Sequence, residues 1–299
     1  MTGSVTVLTN PAAPGRRAAA VRATALRRLR DRGFDVTEIA GTSAAETAEL
    51  AVRAVADGAR ALVAIGGDGL VFLAWQALAG TGIPLGIVPA GTGNDHARVL
   101  GIPADPVAAV DVIAGGRIRT IDLGRATPTG LRPLWFGTVL ASGFDSLVTD
   151  RANRMRWPRG HLRYNAATLA ELADLRLLPY RITMDGKTFE AEATMVSVGN
   201  STTYGGGMRI APDALLDDGM LDVIVVTSAS RSRLLRLFPT VYRGTHVDLD
   251  EVSVYRARSV QLDCPGITAY ADGERIGPLP LDLEAVPGAG RVFVPEPHG

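Results

Sequence analysis

Short apolar runs and longer amphipathic stretches alternate along the first third of the chain. Val5 to Thr9 is rich in β-formers; after a Pro/Gly loop, Ala18 to Arg32 places Val21, Ala25, Leu26 and Leu29 on one helical face, and Gly33 stops it. Phe34 to Ile39 reads as the next strand. Ser43 with Glu46 forms a capping-box signal for a helix running to about Asp57, ended by Gly58. Ala61 to Ile65 is a strand, Leu70 to Ala79 a helix, Pro84 to Val88 a strand, Pro106 to Ala114 a helix and Ile118 to Leu123 a strand. Strands alternating with helix-length segments predict a parallel sheet covered by helices.

From Gly124 the pattern changes. A Pro/Gly/Thr stretch (Thr127 to Pro133) precedes two Arg-rich helical segments, then mostly alternating strands with turn signals at Asp185-Gly186 and Asp272-Gly273. These features predict an α/β domain over residues 1–124 and a mainly β domain with helical insertions over 125–299.

The length of 299 residues accommodates two domains, and 46% hydrophobic with 21% charged residues is ordinary globular composition. Acidic and basic residues balance at 31 each, so no charge excess favours nucleic acid. Lys187 is the sole lysine and sits in the turn sequence DGKT. A P-loop and a protein-kinase core each need a lysine on the phosphates, so both are excluded. Cys264 is the sole cysteine, which excludes an intrachain disulfide and a multi-cysteine zinc site and fits a reducing compartment. The opening MTGSVTVLTNPAAPG has no basic start followed by an apolar core, so no secretory signal is read there. With no apolar run approaching ~18 residues, the expectation is a cytoplasmic protein whose membrane contact is peripheral.

The chemistry-bearing segments lie at strand ends. Gly66-Gly67-Asp68-Gly69 follows an apolar strand and opens a helix, an arrangement in which backbone amides meet an anion. An aspartate there repels phosphate unless a cation bridges them, which makes Asp68 a candidate for holding Mg²⁺. Pro89-Ala90-Gly91-Thr92-Gly93-Asn94-Asp95 repeats the pattern after the next strand. Asn10-Pro11-Ala12-Ala13-Pro14-Gly15 follows the first strand and Thr42 the second. In a parallel sheet such turns emerge at one carboxyl edge, which predicts a nucleotide phosphate site. GxGxxG, GxSxG, HExxH and paired CxxC motifs are absent, and the histidines are scattered. Asp213, Asp217, Asp218 and Asp222 crowd one segment, and Asp272-Gly273-Glu274 reads as a hairpin tip; alone, each is an ordinary solvated turn.

In order, NPAAPG, GGDGL, PAGTGND, GFD (Gly143 to Asp145), PDALLDDGMLD and YADGE resemble the bacterial lipid kinases of the diacylglycerol kinase catalytic-domain family over nearly the whole chain. The resemblance implies a three-layer α/β domain like that of NAD kinase and phosphofructokinase, plus a sandwich-like β domain whose last strand packs back on the first. It implies ATP on Asn10, Pro11, Ala12, Ala13, Gly15, Thr42, Gly66, Gly67, Asp68, Gly69, Thr92, Asn94 and Asp95, with Mg²⁺ communicating with Asp68 and Asp95. It also implies a structural cation on Asp218 with the carbonyls of Leu215 and Met220, Glu274 as general base on a lipid hydroxyl, and Asp272 orienting metal-bound water. Where relatives read GGDGT and then an Asn-Glu pair, Leu70, Phe72 and Leu73 stand here. The implied substrate is diacylglycerol, met at the cytoplasmic face of an anionic membrane; the resemblance leaves room for a homodimer. Two segments suit such a surface: Arg151, Arg154, Arg156, Arg159 and Arg163 among Met155, Trp157, Leu162 and Tyr164, and Arg231, Arg233 and Arg236 among Leu234, Leu235, Leu237 and Phe238. Other readings are a kinase for sphingosine, ceramide or a glycolipid, an NAD kinase, which the GTGND loop disfavours, and a nucleotide- or lipid-binding regulator without turnover.

Overall fold

The computed structural model describes residues 3–9, 16–155, 157, 161–227 and 230–297, with no side-chain description at 161–165 and 235. The chain divides into two units, one of Met1–Leu123, Gly205–Gly207 and Val286–Gly299, the other of Gly124–Tyr204 and Met208–Ala285. In the first unit run β1 (Ser4–Thr9), α1 (Arg16–Asp31), β2 (Asp35–Ala40), α2 (Ala44–Ala56), β3 (Leu62–Gly66), α3 (Asp68–Leu78), β4 (Leu85–Pro89), α4 (Asp95–Val99) and α5 (Pro106–Gly115); β5 (Ile118–Pro128) begins there. The strands pair in parallel in the order β2-β1-β3-β4. Parallel neighbours require crossovers, and the helices supply them. Leu8, Leu62, Trp75, Leu78 and Leu85 are fully buried in this unit.

Local signals account for the helix ends. The Ser43 hydroxyl accepts from Glu46 N at 3.2 Å, while the Glu46 carboxylate reaches back to the amide and hydroxyl of Thr42 rather than to Ser43 itself. Asp105 caps α5, accepting from Val107 N and Ala108 N, and Pro106 follows at its first position. Two boundaries differ from the expectation. α3 starts at Asp68 rather than Leu70 because Gly67 takes the N-cap position, which draws the glycine turn into the helix start. β5 continues past Leu123 to Pro128, its Gly124 opposite Phe136. A Cβ on Gly124 would lie 2.1 Å from the Phe136 ring, so the glycine that reads as a break is a strand residue covered by an aromatic ring.

The second unit adds β6 (Leu134–Phe136), β7 (Val139–Gly143), α6 (Phe144–Arg154), α7 (His161–Ala173), β8 (Leu178–Met184), β9 (Lys187–Ala193), β10 (Met195–Gly199), β11 (Leu221–Val226), α8 (Arg231–Arg243), β12 (Val252–Ala257), β13 (Ser259–Asp263), β14 (Thr268–Ala271), β15 (Glu274–Pro278) and the start of β16 (Leu281–Phe293). One antiparallel sheet has the order β12-β11-β10-β7-β14-β15; in the other strand group β16, β13, β8 and β9 pair in turn and β5 pairs β6. The far end of β16 belongs to the first unit, where Val292 pairs with Leu85 of β4. Both Asp-Gly turn signals are tight hairpins with positive φ at each residue, 47° and 82° at Asp185-Gly186 and 53° and 83° at Asp272-Gly273. Leu237 and Val241 of α8 pack on Val139, Met195, Ile224 and Val226 of the sheet.

Trp75 is fully buried on α3, and its indole N–H has no hydrogen-bond acceptor among the described residues. Trp75→Ala is expected to cost about 3–5 kcal/mol in urea unfolding. Trp75→Phe is expected to cost much less, because it removes the unpaired donor while keeping most of the apolar volume.

Candidate active site

The two glycine turns of the first unit meet backbone to backbone. A Cβ on Gly91 would lie 2.6 Å from the Gly67 Cα, so the second turn tolerates no side chain at the crossing, and one on Gly67 would be tight at 3.2 Å from the Gly91 Cα. Ala90 N donates to Gly66 O at 2.8 Å, tying the ends of β3 and β4 together. Asn94 adopts φ 53°, with its side-chain oxygen accepting from Gly91 N at 2.9 Å and its amide donating to Gly91 O at 3.0 Å. The amide expected to contact a nucleotide is therefore spent on bracing the turn. Thr92 is exposed at the tip, and α3 starts on Gly67 with no side chain capping it, its Leu70 amide already turned onto Gly67 O at 3.0 Å; a helix start of this kind is where anions bind.

Two carboxylates border one small space beside this crossing. A Cβ on Gly93 would lie 2.8 Å from Asp68 Oδ2 and 3.3 Å from Asp95 Oδ2. Burial by itself would raise the Asp68 carboxyl, but the His96 ring and the backbone amides of His96 and Asn94 together hold it below the usual carboxylate range. Asp95 goes the other way: burial, reinforced by the Asp68 charge, pushes it up despite the Gly206 amide. Asp95 Oδ1 is buried with no hydrogen bond among the described residues, and Arg98 Nε stands 3.7 Å from it. Carboxylate oxygens that repel one another suit a hard dication. Among the described residues no group of three or more His, Cys, Asp or Glu side chains forms a closed metal cage. The two carboxylate oxygens that border this space are a donor set of the kind that holds Mg²⁺, whose remaining ligands are water and substrate phosphate.

Several participants escaped the sequence reading. Gly205, Gly206 and Gly207 all have positive φ, and Gly206 N donates to Asp95 Oδ2 at 2.7 Å. Arg98 donates to Gly93 O at 3.0 Å, with its guanidinium carbon 3.3 Å from where a Gly207 Cβ would be. Asp122 is buried on β5 and accepts from Gly288 N. Three consecutive glycines signal a backbone with special φ values, but not which carboxylate it meets. Thr42 is exposed and donates to Glu46. Asn10, Pro11, Ala12, Ala13 and Gly15 lie outside the described residues. Leu70 and Phe72 are buried, so these positions of α3 belong to the core.

In the second unit, Asp272 is buried, and its carboxylate accepts from Gly137 N, Thr138 N and the Thr138 hydroxyl, all within 2.9 Å. Those contacts make it an anchor of the hairpin on which Glu274 stands. Glu274 stands exposed just beyond, its carboxyl pushed up by partial burial and the Asp272 charge. Asp145 of the GFD segment is half-buried at the start of α6, where desolvation raises it against the opposing bond from the Tyr204 hydroxyl.

At the expected cation site, Asp218 Oδ1 accepts from Met220 N at 3.0 Å, and Oδ2 pairs with Arg256, which also faces Asp222 at 3.6 Å. Burial, with the charges of Asp218 and Asp213, pushes Asp222 up to about 6. Leu215 is exposed. A dication on Asp218 with the carbonyls of Leu215 and Met220 would have to compete with the Arg256 guanidinium for that carboxylate.

Of the basic segments, Arg151 pairs with Glu171 and Arg154 with Asp150, while Trp157 is 82% exposed. Arg156 and Arg159 lie outside the described residues, and the side chains of Leu162, Arg163, Tyr164 and Leu235 are likewise not described. On α8, Arg231 donates to Ala173 O and Arg233 pairs with Glu251 at 3.2 Å. Phe238 and Tyr242 are half exposed and stack edge to face, with ring centroids 5.8 Å apart. No helix of the described residues is long and apolar enough to cross a membrane.

Residues 4–126 match the family model described as diacylglycerol kinase catalytic domain, and residues 138–294 match the YegS C-terminal NAD kinase beta sandwich-like domain. A diacylglycerol kinase of Mycobacterium tuberculosis is 52% identical over 99% of this chain and 96% of its own length. One of Bacillus subtilis is 28% identical over 85% of this chain and 84% of its own. A crystal structure of a diacylglycerol kinase from Bacillus anthracis superposes with a TM-score of 0.72 at 21% identity, over 98% of this chain and 97% of that one, which shows a shared fold. The glycine turns and paired carboxylates thus sit in an α/β domain with an NAD kinase-like fold, beside a β-sandwich domain in sequence, and the chain belongs to the diacylglycerol kinase family of lipid kinases.

Proposed function

We propose that the chain transfers the γ-phosphoryl group of ATP, with Mg²⁺, to the free hydroxyl of diacylglycerol, giving phosphatidic acid and ADP. The observation that carries this reading is the crossing of Gly67 and Gly91 with Asp68 and Asp95 beside it, in a chain 52% identical to a diacylglycerol kinase. Phosphoryl transfer asks chiefly for positioning and charge neutralisation. The amides of Gly66–Gly69 and the exposed Thr92 and Thr42 supply anion contacts, joined by Asn10, Pro11, Ala12, Ala13 and Gly15 from the first turn. Asp68 and Asp95 hold Mg²⁺, which supplies neutralisation of the phosphate charge.

In the transfer, the lipid hydroxyl oxygen forms a bond to the γ-phosphorus as the bond to the bridging oxygen of ADP breaks. Glu274 takes the hydroxyl proton. Its carboxyl, raised by partial burial and by Asp272, is a better proton acceptor than an ordinary glutamate once ionised. Asp272 acts through the hairpin: by absorbing donors from Gly137 and Thr138 it fixes the turn on which Glu274 stands.

A diacylglycerol has to be reached in a bilayer, and α8 supports one approach. Phe238 and Tyr242 present an exposed apolar strip, and Arg236 and Arg243 are exposed on the same helix with no ion pair among the described residues. The described arginines of the other segment are already paired, which favours α8 as the surface lying on anionic headgroups.

Radiolabel transfer from ATP into diacylglycerol in mixed micelles, beside a panel of sphingosine, ceramide and a glycolipid, is expected to label diacylglycerol foremost. Label confined to another lipid reassigns the substrate, and nucleotide binding without turnover makes the chain a regulator. Asp68→Asn and Glu274→Gln are each expected to lower kcat by about 100-fold or more with unfolding midpoints near wild type. Asp272→Ala is expected to lose roughly 1–3 kcal/mol in urea unfolding, because it strands buried amides, and to lower kcat as well. Replacing Phe238 and Tyr242 with Ser and Arg236 and Arg243 with Ala is expected to weaken sedimentation with phosphatidylglycerol vesicles, the arginine contribution fading as salt rises. Undiminished sedimentation moves the membrane surface elsewhere.

A further inference from the structure

His96 does not belong to the glycine turns, yet its ring is buried against the carboxylate at their centre. It is 3% exposed, and its Nδ1 lies 3.2 Å from Asp68 Oδ1. Its own backbone N donates to the same oxygen, also at 3.2 Å. A carboxylate only accepts, so the ring nitrogen facing it carries the proton and the neutral tautomer is Nδ1–H. Both contacts hold Oδ1. The other oxygen, Oδ2, is left bordering the space beside Gly93 that it shares with Asp95 Oδ2.

A carboxylate at the head of a helix rotates about its terminal torsion with little resistance, and a rotated Asp68 would offer the wrong oxygen, or both, to that space. Two donors on one oxygen remove this freedom before any cation arrives. We infer that His96 is a positioning residue: its Nδ1–H locks the Asp68 carboxylate so that Oδ2 alone is presented to a divalent cation beside Asp95. The inference rests on the proposed Mg²⁺–nucleotide site and adds to it a residue that sets cation affinity without touching nucleotide or lipid.

The effect of losing such a contact falls on cation binding. Arg98 and Gly206 act on Asp95, not on Asp68, so they do not substitute for the ring donor. The Asn94 and His96 amides remain in every side-chain variant, so the loss is partial. Asn carries its amide nitrogen near the place of Nδ1 and serves as the conservative replacement; Phe and Met fill the volume without a donor.

The test is Mn²⁺ binding to the full chain, followed by electron paramagnetic resonance with and without ATP, beside Mg²⁺ titration of kinase rate and thermal unfolding in chelator. His96→Phe and His96→Met are expected to weaken Mn²⁺ binding roughly tenfold, the size of one charge-assisted hydrogen bond. They should raise the Mg²⁺ concentration for half-maximal rate by a similar factor, with kcat at saturating Mg²⁺ within about twofold of wild type. His96→Asn should recover most of the affinity, and in an Asp68→Asn background His96→Phe should add nothing further. Having two apolar variants allows for one that does not fold. Cation affinity unchanged in a folded His96→Phe or His96→Met protein, with only the unfolding temperature lowered, overturns the positioning role and leaves the proposed function standing. A wild-type chain that binds neither Mn²⁺ nor ATP overturns the function and this inference together.

Discussion

At the crossing of Gly67 and Gly91 two main chains come closer than any side chain permits, a Cβ on Gly91 falling 2.6 Å from the opposite Cα. The two carboxylates of the candidate site are carried on the helices that follow these turns. The crossing sets the head of α3 beside the head of α4, and with them Asp68 beside Asp95. Asn94 braces the second turn from within, at the cost of a left-handed backbone that asparagine tolerates better than most residues.

The consequence is electrostatic. Two carboxylates held beside one another without a cation are in tension, and the chain resolves it unequally. Asp68 receives ring and backbone donors from His96 and stays readily ionised, whereas Asp95, buried and facing the Asp68 charge, is raised. The dication proposed there would favour ionisation of both. Asp272 in the second unit shows the opposite solution: its charge is absorbed by backbone and hydroxyl donors and serves the architecture of a hairpin. Asp218 shows a third, in which a guanidinium supplies the positive charge. Carboxylates in similar turn motifs therefore have different chemical uses, decided by the donors around them.

Helix and strand periods, glycine turns after strands and Asp-Gly hairpins are local features, and each was legible from residues a few positions apart. The alternation of β1 through β4 with helices, both hairpins, the Ser43 cap and the kinase motifs could all be read in this way. The Gly124 position was misread because its partner, the Phe136 ring, lies across a turn that composition marked only as irregular.

What the tertiary structure decided are the partners. His96 is 28 residues from Asp68, Gly206 is 111 from Asp95, and Asp272 is 134 from Thr138. No periodicity spans such separations, because a hydrogen bond is directional over about 3 Å and depends on where the folded backbone delivers both ends. The chain alone therefore identified which residues could bear charge near a phosphate, and the closure of the fold determined which of those charges remain available and which are already satisfied.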